Sequence, residues 1–206
     1  MKAEWENFSR IFSCSSEQIE QFELFYKTLV DWNTRMNLTA ITAREDVRDY
    51  HFADSLYLGT ALKLDAYRGL VDIGTGAGFP GIPLKIMNPK MPLLLIEVVE
   101  KRRRFLSEMV SLLGLTGIEI ISLDWRTFVH TTNYPHNLFC ARASLKPEDL
   151  MVMFTHKKSA YKRAELIYWA SSQWECSPSV AQYRMAEFSY DVGDRKRKYV
   201  SFKRNR

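Results

Sequence analysis

Val71-Asp72-Ile73-Gly74-Thr75-Gly76-Ala77-Gly78-Phe79-Pro80-Gly81 is the stretch on which the fold turns. The apolar run from Gly69 to Gly74 reads as a short strand that ends in glycines. Glycines let the backbone turn sharply and lie close to a ligand, because no Cβ stands in the way. Pro80 suits the first turn of a following helix, where its missing N–H costs little. Glu97 then ends the next apolar run, 23 residues after Gly74 and 19 after Gly78. A carboxylate there can accept both ribose hydroxyls of an adenosine cofactor, at the carboxyl ends of the strands.

Two cofactor classes satisfy this loop. Gly76-Ala77-Gly78-Phe79-Pro80-Gly81 fits GxGxxG, the dinucleotide fingerprint. Gly74-x-Gly76-x-Gly78, preceded by Asp72, is the loop of S-adenosylmethionine (SAM) enzymes. Spacing alone leaves both open, because both folds bring an adenosine to the same place.

Outward from the loop, the pattern alternates. Leu93 to Val98 is a continuous apolar run, as expected of a strand buried on both faces. A helix is expected from Glu100 to Leu113, then strands at Ile118–Leu123, Leu138–Ala141 and Leu166–Ala170, with helix-forming residues from Pro147 to Phe154. Tyr183–Val192 and Lys198–Phe202 flank Gly193-Asp194, a hairpin turn signal. The expectation is an α/β fold, a mostly parallel sheet closed by an antiparallel hairpin. Residues 1–64 read as a helical extension and 65–206 as the main domain. Ile19, Phe22, Phe25, Tyr26, Leu29 and Val30 recur at helical spacing, with Ser16 as the expected N-cap. A second helix is expected from Glu45 to Leu62. Asn33 and Asn37 read as turn formers between them.

Composition limits the alternatives. The 206 residues are 46% hydrophobic and 26% charged, which suits a globular domain and not a disordered chain. No apolar run reaches the roughly 18 residues of a membrane span. The first ten residues mix charges of both signs without an apolar core, so the expected location is the cytoplasm. Cys14, Cys140 and Cys176 are far apart and odd in number, and neither they nor the four histidines have metal-ligand spacing. Basic residues outnumber acidic ones 29 to 24 and are clustered. One run is Lys101–Arg104, a second comprises Lys157, Lys158, Lys162 and Arg163, and a third is the tail from Arg195 to Arg206. Such clusters attract polyanions through counterion release, which directs attention to nucleic acid.

Further stretches carry a resemblance. WNTRMNLTAIT, HFADSL, LVDIGTGAGFPGIPLKI, LLLIEVVEKRRRFL and CARASL, running from Asp31 to Leu145, resemble the bacterial 16S ribosomal RNA guanine-N7 methyltransferases of the RsmG or GidB type. The resemblance implies a Rossmann-like class I SAM methyltransferase, with SAM as methyl donor and a guanine of 16S ribosomal RNA, free or in the small subunit, as acceptor. By position it implies cofactor contacts from Gly74, Thr75, Gly76, Gly78 and Phe79, from Glu97, from Arg142, and from Trp125 and Arg126, with Trp125 against the adenine. His51, Asp54 and Ser55 share one helix face, expected either at the mouth of the site, with His51 and Asp54 positioning substrate, or as a polar stitch between the helices and the main domain. N7 of guanine carries a free lone pair, so no catalytic acid or base is expected, nor a metal.

The chain departs from that family after Leu145, and Arg126 stands where an acid is usual. A non-enzymatic RNA- or ribosome-binding module on an inactive methyltransferase scaffold is the alternative those departures motivate. An NAD-dependent oxidoreductase rests on GxGxxG alone. A monomer is expected.

Overall fold

The computed structural model describes residues 3–204, so Arg206 of the basic tail lies outside the described residues. Helices α1 (Ala3–Phe12) and α2 (Ser16–Asn33) come first. They are followed by α3 (Arg44–Val47), a π-helical stretch (Arg48–Ala53), α4 (Asp54–Leu56) and α5 (Leu58–Ala61). Next come β1 (Leu70–Ile73), α6 (Gly81–Met87), β2 (Leu93–Ile96), α7 (Glu100–Leu112), β3 (Ile118–Ile121) and α8 (Trp125–Thr131). The chain continues with β4 (Leu138–Arg142), α9 (Pro147–Leu150), α10 (Val152–Thr155), β5 (Glu165–Ser171), α11 (Pro178–Ala181), β6 (Arg184–Val192) and β7 (Arg195–Lys203).

The strands form one seven-stranded sheet in the order β3-β2-β1-β4-β5-β7-β6. Strands β1 to β5 pair in parallel, while β7 runs antiparallel between β5 and the edge strand β6. The expected α/β class, with its mostly parallel sheet and closing hairpin, is therefore the observed one. The strand order reverses at β1, whose neighbours are β2 on one side and β4 on the other. That switch point, at the carboxyl ends, is where α/β sheets open a crevice.

All four residues of β1 and of β2 are buried, so the side-chain alternation sorts them between two apolar cores. Leu70, Leu93 and Leu95 join one core with Phe22, Phe25, Phe52 and Phe105, so the N-terminal helices cover this face of the sheet. Val71, Ile73, Leu94 and Ile96 join the other, with Phe128, Phe139 and Phe154. The expected boundary at residues 64 and 65 falls in a 3-10 turn, Leu64–Ala66.

Local chemistry explains where the elements differ from expectation. Helix α2 is capped one residue earlier, by Ser15: its Oγ accepts from the Gln18 N–H, and the Gln18 side chain accepts from the Ser15 N–H. The helix expected over Glu45–Leu62 is three short pieces around the π-helical stretch, a device often found at functional sites. Strand β2 stops at Ile96, leaving Val98 56% and Val99 42% exposed. The segment 147–154 is two helices, α1 falls within the stretch read as helical, and α8 and α11 arise where no helix was expected.

Phe52, in the π-helical stretch, lies 5.0 Å from Phe22, 5.3 Å from Phe25 and 6.0 Å from Phe79, centroid to centroid. It joins the helical segment to the glycine loop through fully buried contacts. Phe52→Ala is expected to cost roughly 3–5 kcal/mol of unfolding free energy in a urea titration. A cost below about 1 kcal/mol would mean that the cluster does not bind the two parts together.

Candidate functional site

The loop after β1 is held from beneath. Asp72 is fully buried, and its Oδ2 accepts from Thr75 Oγ1 at 2.6 Å and from the Gly81 N–H at 2.8 Å. Burial pushes this carboxyl up to about 6, although both hydrogen bonds pull the other way. Gly74, Gly76 and Gly78 all adopt left-handed φ, at 65°, 59° and 91°. A Cβ on Gly74 would stand 2.5 Å from Ser144 Cβ, whereas one on Gly76 would meet nothing within 4 Å. The backbone at Gly76 thus lies open to whatever enters.

Glu97, 3% exposed, is fixed against this loop. Its Oε2 accepts from the Gly76 N–H at 3.0 Å and its Oε1 from the Val99 N–H at 2.8 Å, with Arg102 Nη1 3.7 Å away. A carboxylate offers about four acceptor positions, so two lone pairs stay available to a diol. The buried Ser144 hydroxyl, beside Gly74, has no hydrogen-bond partner among the described residues. An oriented carboxylate, an open glycine backbone and an orphaned hydroxyl make a cradle that fits an adenosine-bearing cofactor such as SAM.

The loop opens into a cavity of about 350 Å³ whose wall includes Thr39, Tyr50, His51, Asp54 and Phe79, with Arg102, Arg142, Arg195 and Arg197. Phe79 is sandwiched, with His51 stacked at 4.4 Å and Phe25 at 5.1 Å. His51 Nδ1 lies 3.4 Å from Arg142 Nη2, and Nε2 lies 2.9 Å from Thr39 Oγ1. A guanidinium only donates, so Nδ1 accepts and the ring proton sits on Nε2, donated to Thr39. Burial first, then the Arg142 charge, push the His51 pKa down to about 3. His51 is a neutral imidazole with both nitrogens engaged.

Asp54, 2% exposed, is the node of the cavity wall. Its carboxylate accepts from Arg142 Nη1 at 2.9 Å, from Arg197 Nε at 3.2 Å and from the Tyr190 hydroxyl at 2.7 Å. Its backbone carbonyl accepts from Trp169 Nε1 at 3.0 Å. Burial and the neighbouring carboxylate both push the Tyr190 phenol up, so it stays a donor. At the hairpin turn, Tyr50 donates to Asp194 at 2.5 Å, and the Arg195 guanidinium lies 3.7 Å above its ring.

Gly74, Thr75, Gly76, Phe79, Arg142, His51 and Asp54 thus line one cavity. Gly78 lies in the same loop, packed toward Ile82. Glu97 sits at the rim, through Gly76 and Arg102. Trp125 and Arg126, like Gly78 and Glu97, are not among the residues that line the cavity. Asp124 caps α8 by accepting from the Thr127 N–H at 3.0 Å, and Trp125 is buried among Phe128 and Phe139 with its indole N–H on the Asp149 carbonyl at 3.2 Å. Arg126 points outward to Asp149 at 3.4 Å, both side chains largely exposed, a pair worth little. Asn33 does form the expected turn, accepting from the Leu38 and Thr39 N–H groups.

The sequence reading missed Thr39, Tyr50, Tyr190 and the inward aim of Arg102, Arg195 and Arg197. A signal existed for one pair. The Gly193-Asp194 turn sets Val192 opposite Arg195 and therefore Tyr190 opposite Arg197.

Comparison with known proteins gives a consistent picture. The model of the family described as GidB, rRNA small subunit methyltransferase G, matches residues 18–188. The chain is similar to a protein named ribosomal RNA small subunit methyltransferase G from Dehalococcoides mccartyi, 53% identical over 111 residues, covering 53% of this chain and 46% of the relative. A protein of the same name from Halalkalibacterium halodurans is 41% identical over 136 residues, covering 65% and 57%. The chain spans about half the length of the curated relatives it matches. Among solved structures, a SAM-dependent methyltransferase from Aquifex aeolicus superposes with a TM-score of 0.52 at 18% identity, covering 77% of this chain and 93% of that one. A variant of MtNAS in complex with S-adenosylmethionine gives 0.57 at 16% identity, covering 91% and 72%. These two structures share the fold.

A neutral buried histidine has a consequence for acid stability. Between pH 6.5 and about 3, His51 binds fewer protons folded than unfolded, so its contribution to stability is present above pH 6.5 and is lost as pH falls. His51→Gln retains a donor and an acceptor without a titration. From pH 7 to 4.5 the parent is expected to lose roughly 2 kcal/mol more unfolding free energy than the variant. Asp72 acts with the opposite sign, because its raised carboxyl favours the fold at lower pH, but it is common to both proteins and cancels. Parallel pH profiles would contradict the assignment of His51.

Proposed function

The chain belongs to the rRNA small subunit methyltransferase G family, and from that premise we propose that it transfers a methyl group from SAM to N7 of a guanine in 16S ribosomal RNA. The observation that carries this reading is the Gly74–Gly78 loop and Glu97 opening directly into an arginine-walled cavity. In this reading Glu97 holds the ribose hydroxyls, Gly76 lets the backbone approach the donor, and the exposed Val98 and Val99 offer apolar surface to the adenine ring. Arg142 and Phe79 close the wall on the methionine side. Bound SAM supplies a sulfonium methyl group as the electrophile.

The residues of this chain then have to align and desolvate the acceptor. Guanine N7 presents a lone pair at neutral pH, so no proton need be removed before transfer. His51 suits that requirement: it is neutral, and both of its nitrogens are engaged with Thr39 and Arg142. Rate then comes from alignment and exclusion of water. A bidentate arginine on O6 and N7 would occupy the nucleophile, so the cavity arginines act on phosphate and on the rest of the base, which is splayed out of its helix.

In the same reading residues 1–64 are a helical extension that builds the RNA side of the site through Thr39, Tyr50, His51 and Asp54, and residues 65–206 form the methyltransferase domain. A monomer is the proposed active unit. Among the described residues, no helix is long and apolar enough to cross a membrane. The cytoplasm, where ribosomal RNA is made, is the proposed location.

The test is incubation with labelled SAM and small-subunit RNA, naked and within subunits, from cells lacking this enzyme, followed by nucleoside identification. Label in 7-methylguanosine is the expected result; RNA binding without label would support the binding-only scaffold instead. Glu97→Ala is expected to weaken SAM binding by about 1–3 kcal/mol in calorimetry, the scale of a lost charge-assisted hydrogen bond. Unchanged affinity would remove Glu97 from the cofactor site.

A further inference from the structure

The cations that surround the cavity are engaged. Arg142 and Arg197 bind Asp54, Arg102 approaches Glu97, Arg103 donates to the Glu97 and Val98 carbonyls, and Arg104 pairs with Glu100. A second set of cations stands elsewhere. Arg163 stands two residues before Glu165, the first residue of β5, which pairs with Leu138 at the start of β4 and with Lys203 at the end of antiparallel β7. This is the amino end of the parallel strands, whereas Gly74, Glu97 and Arg142 mark the carboxyl ends. Strand β5 has seven residues, so about 20 Å of sheet separates the two ends.

At that far end Arg68 precedes β1, Lys90 precedes β2, and Lys157, Lys158, Arg163 and Lys203 follow across to β7, all exposed. Lys162 is tied to the Lys157 carbonyl at 2.7 Å, and Arg204 to the Phe154 carbonyl at 3.0 Å, which gathers them into one stripe. Among the described residues none of these eight is in an ion pair within 4.0 Å. Three carboxylates lie at the same end, and two of them are bound to neutral donors: Glu119 to the Tyr134 hydroxyl, and Glu165 to the Tyr67 and Ser201 hydroxyls. Asp65 is the third. Beside Arg204, Phe154 and half-exposed Tyr183 stack at 5.2 Å and border a hollow of about 500 Å³. Counting from β2 across to β7, the stripe crosses five strands, about 20 Å at the usual strand spacing.

We propose that this stripe, from Arg68 and Lys90 to Lys203 and Arg204, is a second RNA-backbone site, engaging a segment of the ribosomal RNA distinct from the one that enters the cavity. Unpaired exposed cations in a row as wide as a nucleic-acid helix suit phosphates, and the half-exposed Tyr183 ring, backed by buried Phe154, offers a stacking surface to an adjacent base. The inference rests on the reading of the chain as an RNA enzyme, and it deepens it. A short stem–loop reaches the cavity alone, while a folded RNA reaches both ends of the sheet.

The test uses the full chain with Lys157, Lys158, Arg163 and Lys203 together changed to Gln, and measures binding to a full-length 16S transcript and to a short stem–loop across a salt series. On the full transcript the variant is expected to bind at least about tenfold more weakly, with the slope of log K against log salt less negative by about three, the counterion release of four contacts. Affinity for the stem–loop and for SAM is expected to stay the same. An unchanged slope on the full transcript overturns the proposal, as does wild-type binding to phosphatidylserine vesicles that the variant loses while its RNA slope persists. Arg68→Gln with Lys90→Gln, at the other end of the stripe, gives a second reading should the first variant prove unstable, with a slope change of about 1.5 expected and none overturning it. The readout is binding without methyl transfer, so an inactive protein would overturn the proposed reaction and leave this result standing.

Discussion

Asp54 is a carboxylate removed from water and held between two guanidinium groups and a phenol. Taking such a group out of solvent costs several kcal/mol, and only close, well-directed partners offset the cost. Its partners come from β4, β6 and β7, while Asp54 itself starts the helix after the π-helical stretch. One acid therefore fastens the N-terminal helices to the middle of the sheet and to the closing hairpin. It also fixes the directions of Arg142 and Arg197, whose remaining donors face the cavity. Two arginines against one aspartate leave positive charge in excess, and neutral His51 adds none. The cavity wall is thus attractive to anions.

The second constraint is the ring stack. Phe79 belongs to the glycine loop, His51 to the π-helical stretch and Phe25 to α2, so the three rings carry the position of the helical segment directly into the loop. In the proposed reading, a movement on the RNA side of the cavity would disturb the backbone that faces the cofactor. In the proposed reaction both reactants must meet within one bond length, and a shared wall of this kind is how a protein fixes that distance.

The strands and the loop were legible because their signals are local. Fully buried strands read as apolar runs, and the glycines with Glu97 at the following strand end mark a cofactor crevice in any α/β sheet. The hairpin was legible from Gly193-Asp194. What could not be read was long-range. Arg197 and Asp54 are 143 residues apart, and although the turn sets Arg197 opposite Tyr190, nothing local shows that it turns inward to Asp54 while Lys203 stays exposed. The burial of Trp125 was not legible for a physical reason: a capped helix start turned its ring into the core, where the indole N–H found a carbonyl. The break at Arg48–Ala53 was hidden as well, because a widened turn keeps nearly the same apolar spacing as the α-helix expected there.

Asp54 and Arg142 form one unit on which the cavity wall depends. A double-mutant cycle of Asp54→Asn and Arg142→Gln, read as unfolding free energy in urea, measures that unit directly. The single changes are each expected to cost several kcal/mol, and the double change to cost less than their sum by about 2–3 kcal/mol, the coupling of a buried charged pair. Additive costs, within about 0.5 kcal/mol, would mean that the two residues act independently and that the wall is held by something else.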